Sequence, residues 1–97
     1  MGDVTVYYSS VSSNLEIKKD QQRIEMILKK SYKGNPIKYI DIAADSEAKE
    51  RMRDIAGNPK ALPPQICKGN EYLGDFAAFF DAIEREDLDG FLKIDYN

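Results

Sequence analysis

Histidine and tryptophan are absent from this chain, and cysteine occurs once, at Cys67. A single cysteine excludes an internal disulfide framework. Without histidine, neither a zinc cluster nor a histidine-activated nucleophile is expected. The sequence also lacks a basic block and a run of about 20 apolar residues, so binding to nucleic acid or membrane is not expected. These absences predict a protein of the reducing cytoplasm that holds no metal. The nucleus is a further expected location.

What is present fits one small domain. The chain has 97 residues, 42% of them hydrophobic, and 14 Lys+Arg against 17 Asp+Glu give a net charge of −3. This length supports one hydrophobic core and is too short for two, so residues 1–97 are predicted to form a single domain.

The first half of the chain predicts two strands, each followed by a helix. Residues 4–8 are β-branched and aromatic, and Ser13 with Glu16 forms a capping box for a helix that ends before Gly34. A turn at Asn35–Pro36 leads to a strand at residues 37–42, parallel to the first because a helix connects them. Asp45 or Ser46 caps a second helix, which stops at Gly57.

The second half predicts a hairpin and two helices. Residues 65–67 and 71–73 are joined by Gly69–Asn70, and Gly74–Asp75 is predicted to act as a hinge and N-cap. The next helix carries a core stripe of Phe76, Phe79, Phe80 and Ile83. A short last helix begins at Asp87 or Leu88 and runs to Lys93. The order β-α-β-α-β-β-α plus this helix predicts an α/β protein in which helices cover both faces of a four-stranded mixed sheet.

Two successive prolines, Pro63 and Pro64, run directly into the predicted third strand. Proline cannot donate to a sheet ladder, so two interpretations are open. The segment is an extended loop that enters the strand, or Pro64 is a cis-proline that holds the strand's first residue against a neighbouring loop. The β-α-β unit before the prolines and the hairpin and helix after them favour the second interpretation. This layout is typical of the thioredoxin-like fold.

In a thioredoxin-like protein that acts on disulfides, the reactive thiol lies between the first strand and the first helix. Here that place is the serine loop, Ser9 to Asn14, and a serine hydroxyl cannot form a mixed disulfide. We interpret these serines as turn and capping residues in preference to ligand-binding ones. Cys67 lies in a strand, where a thiol is usually a small core residue. A redox role for it would need exposure and a cationic neighbour, and Lys68 is expected on the opposite face.

Three segments carry a resemblance to a known family: AGNPKALPPQI at residues 56–66, YLGDF at 72–76 and FLK at 91–93. With these, the sequence resembles the SH3-domain-binding glutamic-acid-rich-like proteins, a glutaredoxin-related branch of the thioredoxin superfamily, and looks like a short member without the glutamate-rich tail. The resemblance implies a glutaredoxin-like fold that has lost the catalytic Cys-x-x-Cys. It also implies a non-enzymatic role, either modulating glutaredoxin activity and redox signalling or acting as a small adaptor.

The resemblance also implies where a ligand would lie. In glutaredoxins the residue before the cis-proline offers N–H and C=O to glutathione, and here that residue is Pro63, which has no N–H. Gly74 and Asp75 match positions that hold the glutamyl end. We therefore expect no cofactor and only weak glutathione binding. The candidate groove for a ligand or partner comprises Ser9, Ser10, Val11, Ser12, Ser13, Leu62, Pro63, Pro64, Gly74 and Asp75.

Protein partners are expected at this groove or at the proline segment, and the protein is expected to be a monomer. SH3 binding is disfavoured because Pro59, Pro63 and Pro64 do not supply the spacing of three that SH3 ligands use. An alternative hypothesis is a redox-responsive protein that works through Cys67, by glutathionylation or by an intermolecular disulfide.

Overall fold

The computed structural model describes residues 3–32 and 36–93. It confirms the predicted element order in these ranges. The predicted stop at Gly34, the Asn35 half of the predicted turn and the tail after Lys93 lie outside the described residues. In chain order the elements are β1 (Val4–Tyr8), α1 (Leu15–Ser31), β2 (Ile37–Asp41), α2 (Ser46–Ala56), β3 (Gln65–Lys68), β4 (Glu71–Asp75), α3 (Phe76–Glu84) and α4 (Leu88–Phe91).

The four strands form one mixed sheet in the order β2-β1-β3-β4. β1 is parallel to β2, and β3 is antiparallel to both β1 and β4. Tyr7 pairs with Gln65, and Gln65 pairs with Asp75. As a consequence β1, β2 and β4 finish, and β3 begins, at the same end of the sheet. We call this the site end, and α1, α2 and α3 all begin there.

Helices pack on both faces of the sheet, as predicted. On one face α1, α3 and α4 bury a cluster consisting of Val4, Val6, Ile24, Leu28, Ile66, Phe79 and Leu92. On the other face α2 covers a smaller cluster of Tyr7, Ile42, Ala48, Met52, Ala61 and Cys67. Within residues 3–32 and 36–93, no helix has the length and apolar character needed to cross a membrane.

The helix starts follow the sequence with one exception. Asp45 and Asp75 cap α2 and α3 as predicted, and Gly57 ends α2 in the left-handed conformation. The predicted cap of α1, Ser13, is wrong. Asn14 is the cap, and its Oδ1 accepts from the N–H groups of Glu16 (2.9 Å) and Ile17 (3.2 Å). Both residue types are good caps, and the chain enters the helix one residue later than the capping box suggests.

Two further predictions about the second half are corrected. Phe80 was expected in the core, but it is 38% exposed and stacks on Phe76 with a centroid distance of 5.8 Å. It lies where the apolar stripe of α3 meets solvent, beside the guanidinium of Arg23. Gly74 is not a hinge, because it is a buried residue of β4 with a φ of 152°.

Candidate functional site

The peptide bond between Pro63 and Pro64 is cis, which agrees with the geometry that the second interpretation of the double proline predicts. Pro64 is buried directly before β3. The side chain of Gln65 fixes this segment, since its Nε2 donates to the carbonyl of Leu62 at 2.7 Å and its Oε1 accepts from the Tyr72 hydroxyl at 2.6 Å. Sequence reasoning missed both Gln65 and Tyr72, because their contact depends on the pairing of β3 with β4.

Beside the cis-proline lies an open depression of about 470 Å³, which we call the proline groove. It contains four of the predicted groove residues, namely Leu62, Pro63, Pro64 and Asp75. The remaining lining comes from the start of α1 (Ile17, Asp20), from the segment before β3 (Asn58, Lys60, Ala61, Gln65) and from the start of α3 (Phe76, Ala77). The groove is therefore formed where two helix starts meet the proline segment at the site end.

The serine loop lies at the same end of the sheet but does not line the proline groove. Ser9 and Ser10 instead line a second depression of about 590 Å³, formed by α1 and the sheet, together with Tyr8 and Tyr39. Val11, Ser12 and Ser13 line neither of these two cavities. The single groove predicted from the sequence is thus corrected to two separate surfaces, because the first turns of α1 stand between them.

Hydrogen bonds to distant residues hold the start of the serine loop. The N–H of Ser9 donates to Oε1 of Gln21 at 2.8 Å, and Nε2 of Gln21 donates back to the Ser9 carbonyl at 3.1 Å. Ser10 donates to the Asp41 carboxylate from its hydroxyl (2.6 Å) and its N–H (3.1 Å). The bond from the Ser10 hydroxyl, followed by that from its N–H, lowers the pKa of Asp41. These contacts support the interpretation of the serines as turn residues.

Gly74 packs inside the fold and does not line the groove. A Cβ at this position would stand 2.7 Å from Cβ of Ala78 and 3.1 Å from Cε1 of Phe91. Its role is therefore to let β4 approach α3 and α4 closely, and the prediction of Gly74 as a groove residue is wrong. Its neighbour Asp75 faces the groove while Oδ1 of its carboxylate accepts from the N–H of Ala78 at 3.0 Å.

The structure does not supply the conditions that a redox role for Cys67 requires. The side chain is 1% exposed in β3, and burial raises its pKa to about 11. The adjacent ammonium of Lys68 donates to the carbonyls of Leu92 and Lys93. The positive charge of Lys68 is thus held by carbonyl groups at the end of α4. A buried thiol with a raised pKa carries little thiolate, which disfavours the alternative hypothesis of a reactive Cys67.

The charged lining of the proline groove consists of Asp20, Asp75 and Lys60. Burial raises the pKa of Asp20, and the nearby charge of Glu16 raises it further, which outweighs the lowering effect of Arg23. Sequence reasoning missed Asp20 and Lys60, since a single Asp or Lys in a polar helix face or loop carries no signal of its own. Asp20 lies in α1, six residues after the predicted serine loop ends at Asn14, and the fold brings it to the site.

The groove does not reproduce the contacts that the resemblance implies for glutathione. Pro63, the residue before the cis-proline, has no N–H, so only its carbonyl could face the cysteinyl unit. At the start of α3 the carboxylate of Asp75 already accepts from the N–H of Ala78. A negative charge is therefore fixed where a ligand carboxylate would be held by the helix start.

Sequence comparisons identify relatives over nearly the whole chain. The family model described as "SH3-binding, glutamic acid-rich protein" matches residues 2–95. The SH3 domain-binding glutamic acid-rich protein homolog of Drosophila melanogaster is 38% identical over 103 residues, a match that covers 92% of this chain and 63% of that protein. The chain therefore spans less than two thirds of the length of this relative.

Comparison with solved structures shows the fold. The actin-interacting protein Aip5 of C. albicans matches with a TM-score of 0.73 and 23% identity, covering 93% of this chain and 87% of that one. Glutaredoxin C1 from Populus tremula x tremuloides gives 0.66 and 15% identity, with coverages of 95% and 84%. An E. coli glutaredoxin gives 0.59 and 19%, with coverages of 87% and 95%. The fold is thus thioredoxin-like and close to that of glutaredoxins, and the chain belongs to the SH3-binding, glutamic acid-rich protein family.

Proposed function

We propose that this chain is a non-enzymatic protein-binding module that docks its partner at the proline groove, as a modulator of glutaredoxin or as a small adaptor. The observation that carries the proposal is that serines, and not a thiol, lie between β1 and α1 at the site end. Where a disulfide reductase needs a thiol, this chain has serines that are hydrogen-bonded to Gln21 and Asp41. At the same end of the sheet, a separate groove of about 470 Å³ is open.

Exposed apolar side chains at the site end support protein docking. Val11 is 76% exposed, Leu15 71% and Leu62 60%. Leu62 lines the groove, whereas Val11 lies in the serine loop and Leu15 is the first residue of α1. Exposed apolar side chains that cluster at one end of a molecule are typical of an interaction surface. A small polar metabolite would gain little binding free energy from contact with these apolar side chains.

The names of the relatives also refer to proteins as partners. The family description refers to SH3 binding, and the fungal structural neighbour is named for interaction with actin. The proposal adopts only what the two names share, which is that the partner is a protein. A proline ligand for an SH3 domain must be exposed, whereas Pro64 is buried. The proposal describes a monomer of the cytoplasm or nucleus.

The non-enzymatic part is tested by glutathione-dependent reduction of a small mixed disulfide. We expect no rate above that of glutathione alone, because the serine loop has no sulfur and Cys67 is buried. The E. coli glutaredoxin serves as the positive control under the same conditions. A rate that depends on the concentration of this protein would contradict the proposal.

The docking part is tested by selection from a random peptide display library on the wild-type protein. Peptides that bind are then measured against Leu62→Ser, in the groove, and Met26→Ser, on α1 outside it; the two side chains are 60% and 62% exposed. We expect Leu62→Ser to weaken binding at least about tenfold, since a covered leucine contributes roughly 1.5–3 kcal/mol. Met26→Ser should leave binding unchanged. Equal effects of the two variants, or no selected peptides, would contradict docking at the groove.

A further inference from the structure

Pro63 and Pro64 line the proline groove, and their carbonyl oxygens are the only hydrogen-bonding groups of their backbone. Neither Pro63 nor Pro64 has an N–H, and the side-chain amide of the buried Gln65 already donates from Nε2 to the carbonyl of Leu62. A partner that lies along this segment must therefore supply the donors itself. A partner group that can only accept would be left without a match there, at a cost in affinity.

Two carboxylates line the same groove from different helices. Asp20 comes from α1 and Asp75 from the start of α3, whereas Lys60 is the cation among the described lining residues. Asp75 uses Oδ1 for the N–H of Ala78, and the other carboxylate oxygen remains an acceptor. Asp20 is partly withdrawn from water and lies in the field of Glu16, which raises its pKa. A cation placed beside Asp20 would relieve this unfavourable field.

Apolar surface accompanies these acceptors. Leu62 is 60% exposed, and Phe76 and Ile17 are half-buried in the groove lining. The groove thus combines apolar contact with acceptors and an excess of negative charge. This combination is complementary to a side chain that has an apolar stem, several donors and a positive charge.

Resting on the proposed function, we propose that the proline groove recognises a partner segment in which an arginine stands between apolar residues. The guanidinium has five N–H donors and no acceptor, which matches the Pro63 carbonyl and the carboxylates of Asp20 and Asp75. The apolar neighbours of the arginine cover Leu62 and Phe76. Arginine is preferred to lysine because its planar donors can serve two acceptors at once. A glutamate in its place would face both carboxylates and find no N–H on Pro63 or Pro64, so that Lys60 would be its one cationic contact among the described lining residues.

The test uses three fluorescent peptides with the sequence Ala-Leu-X-Leu-Ala, in which X is arginine, glutamine or glutamate. Dissociation constants are measured by anisotropy at low salt. We expect the arginine peptide to bind at least about tenfold more tightly than the glutamine peptide, and the glutamate peptide to bind most weakly. Asp20→Asn and Asp75→Asn should each remove most of the preference for arginine, and asparagine at position 75 keeps the cap of α3. Glu50→Gln, which changes an exposed carboxylate of α2 outside the groove, should not.

The inference is overturned if the three peptides bind alike, if none binds, or if Glu50→Gln reduces the preference as much as Asp20→Asn. The library selection separates this failure from that of the proposed function. Peptides that depend on Leu62 but contain no enriched basic residue would refute the arginine preference and leave groove docking intact. Basic residues enriched beside apolar ones among the Leu62-dependent peptides would support both.

Discussion

Cys67 is the residue at which a redox account and a structural account of this chain differ most. Burial in β3 raises its pKa from 9.0 to about 11, so near neutral pH the thiolate fraction falls about a hundredfold. We predict that the folded protein reacts with a thiol-specific disulfide reagent at least about a hundredfold more slowly than the same chain in denaturant. The rate should rise about tenfold per pH unit up to about pH 11. Equal rates in the folded and denatured states would restore Cys67 as a redox candidate.

The backbone nitrogen of Pro63 explains why the groove is expected to bind glutathione weakly. Its nitrogen carries no hydrogen, so the residue before the cis-proline offers one backbone bond and not two. We predict that Pro63→Ala strengthens binding of reduced glutathione by about tenfold, because a matched donor is worth roughly 1–3 kcal/mol. Pro59→Ala, a change at an exposed proline outside the groove lining, is the control. Amide-shift titration gives both affinities, and an unchanged affinity for Pro63→Ala would exclude this explanation.

At the scale of elements, the start of α1 decides how the serine loop is presented. Asn14 caps the helix by accepting from the N–H groups of Glu16 and Ile17, whereas Ser13 lies outside the helix and is exposed. We predict that Asn14→Ala lowers the free energy of unfolding by about 1 kcal/mol and that Ser13→Ala changes it by less than about 0.5 kcal/mol. Urea denaturation measures both. A larger loss for Ser13→Ala would show that the capping box predicted from the sequence is the true cap.

Elements could be predicted from the sequence because their signals are local. The β-branched run of β1, the Gly69–Asn70 turn and the spacing of Phe76, Phe79 and Ile83 each lie within a few residues. The cap of α1 could not be decided, because Ser13 and Asn14 are adjacent and both suit the position. Phe80 follows the same helical period as Phe76, and only the tertiary contacts show that the stripe ends before it.

The site was predictable only in part, because its contacts are non-local. The capping role of Asp75 follows from residues close in the chain. The cis-proline is favoured only by the order of the elements before and after the double proline. The bond from Ser10 to Asp41 joins positions 31 residues apart, and the division of the site end into two cavities depends on how α1 crosses the sheet. Neither feature has a signature in a single stretch of sequence, so the serine loop and the proline segment were assigned to one groove.

At the scale of the whole molecule, the buried thiol also links stability to pH. Because the pKa of Cys67 is raised above 9.0 in the folded state, folding favours the neutral thiol. The contribution of the buried neutral thiol to the free energy of unfolding is complete below about pH 9 and is lost as the pH rises towards about 11. We predict that the difference in unfolding free energy between wild type and Cys67→Ala shrinks over this interval by on the order of 2 kcal/mol. Parallel curves for the two proteins would contradict burial of the thiol.

The arrangement of the molecule places function at one end. Three helix starts, the serine loop and the cis-proline meet at the site end, and Val11, Leu15 and Leu62 expose apolar side chains there. This glutaredoxin-like fold thus carries serines between β1 and α1 and has an open groove at the same end of the sheet. The central claim is that this groove binds a protein partner without chemistry.

The most direct test of this claim is an amide-shift map of the labelled wild-type protein with a peptide selected from the display library. The account predicts that the shifts concentrate at the groove lining, including Ile17, Leu62 and Ala77, and that the peptide is recovered chemically unchanged. Shifts centred on the exposed edge of β2 around Tyr39, or cleavage or reduction of the peptide, would contradict it.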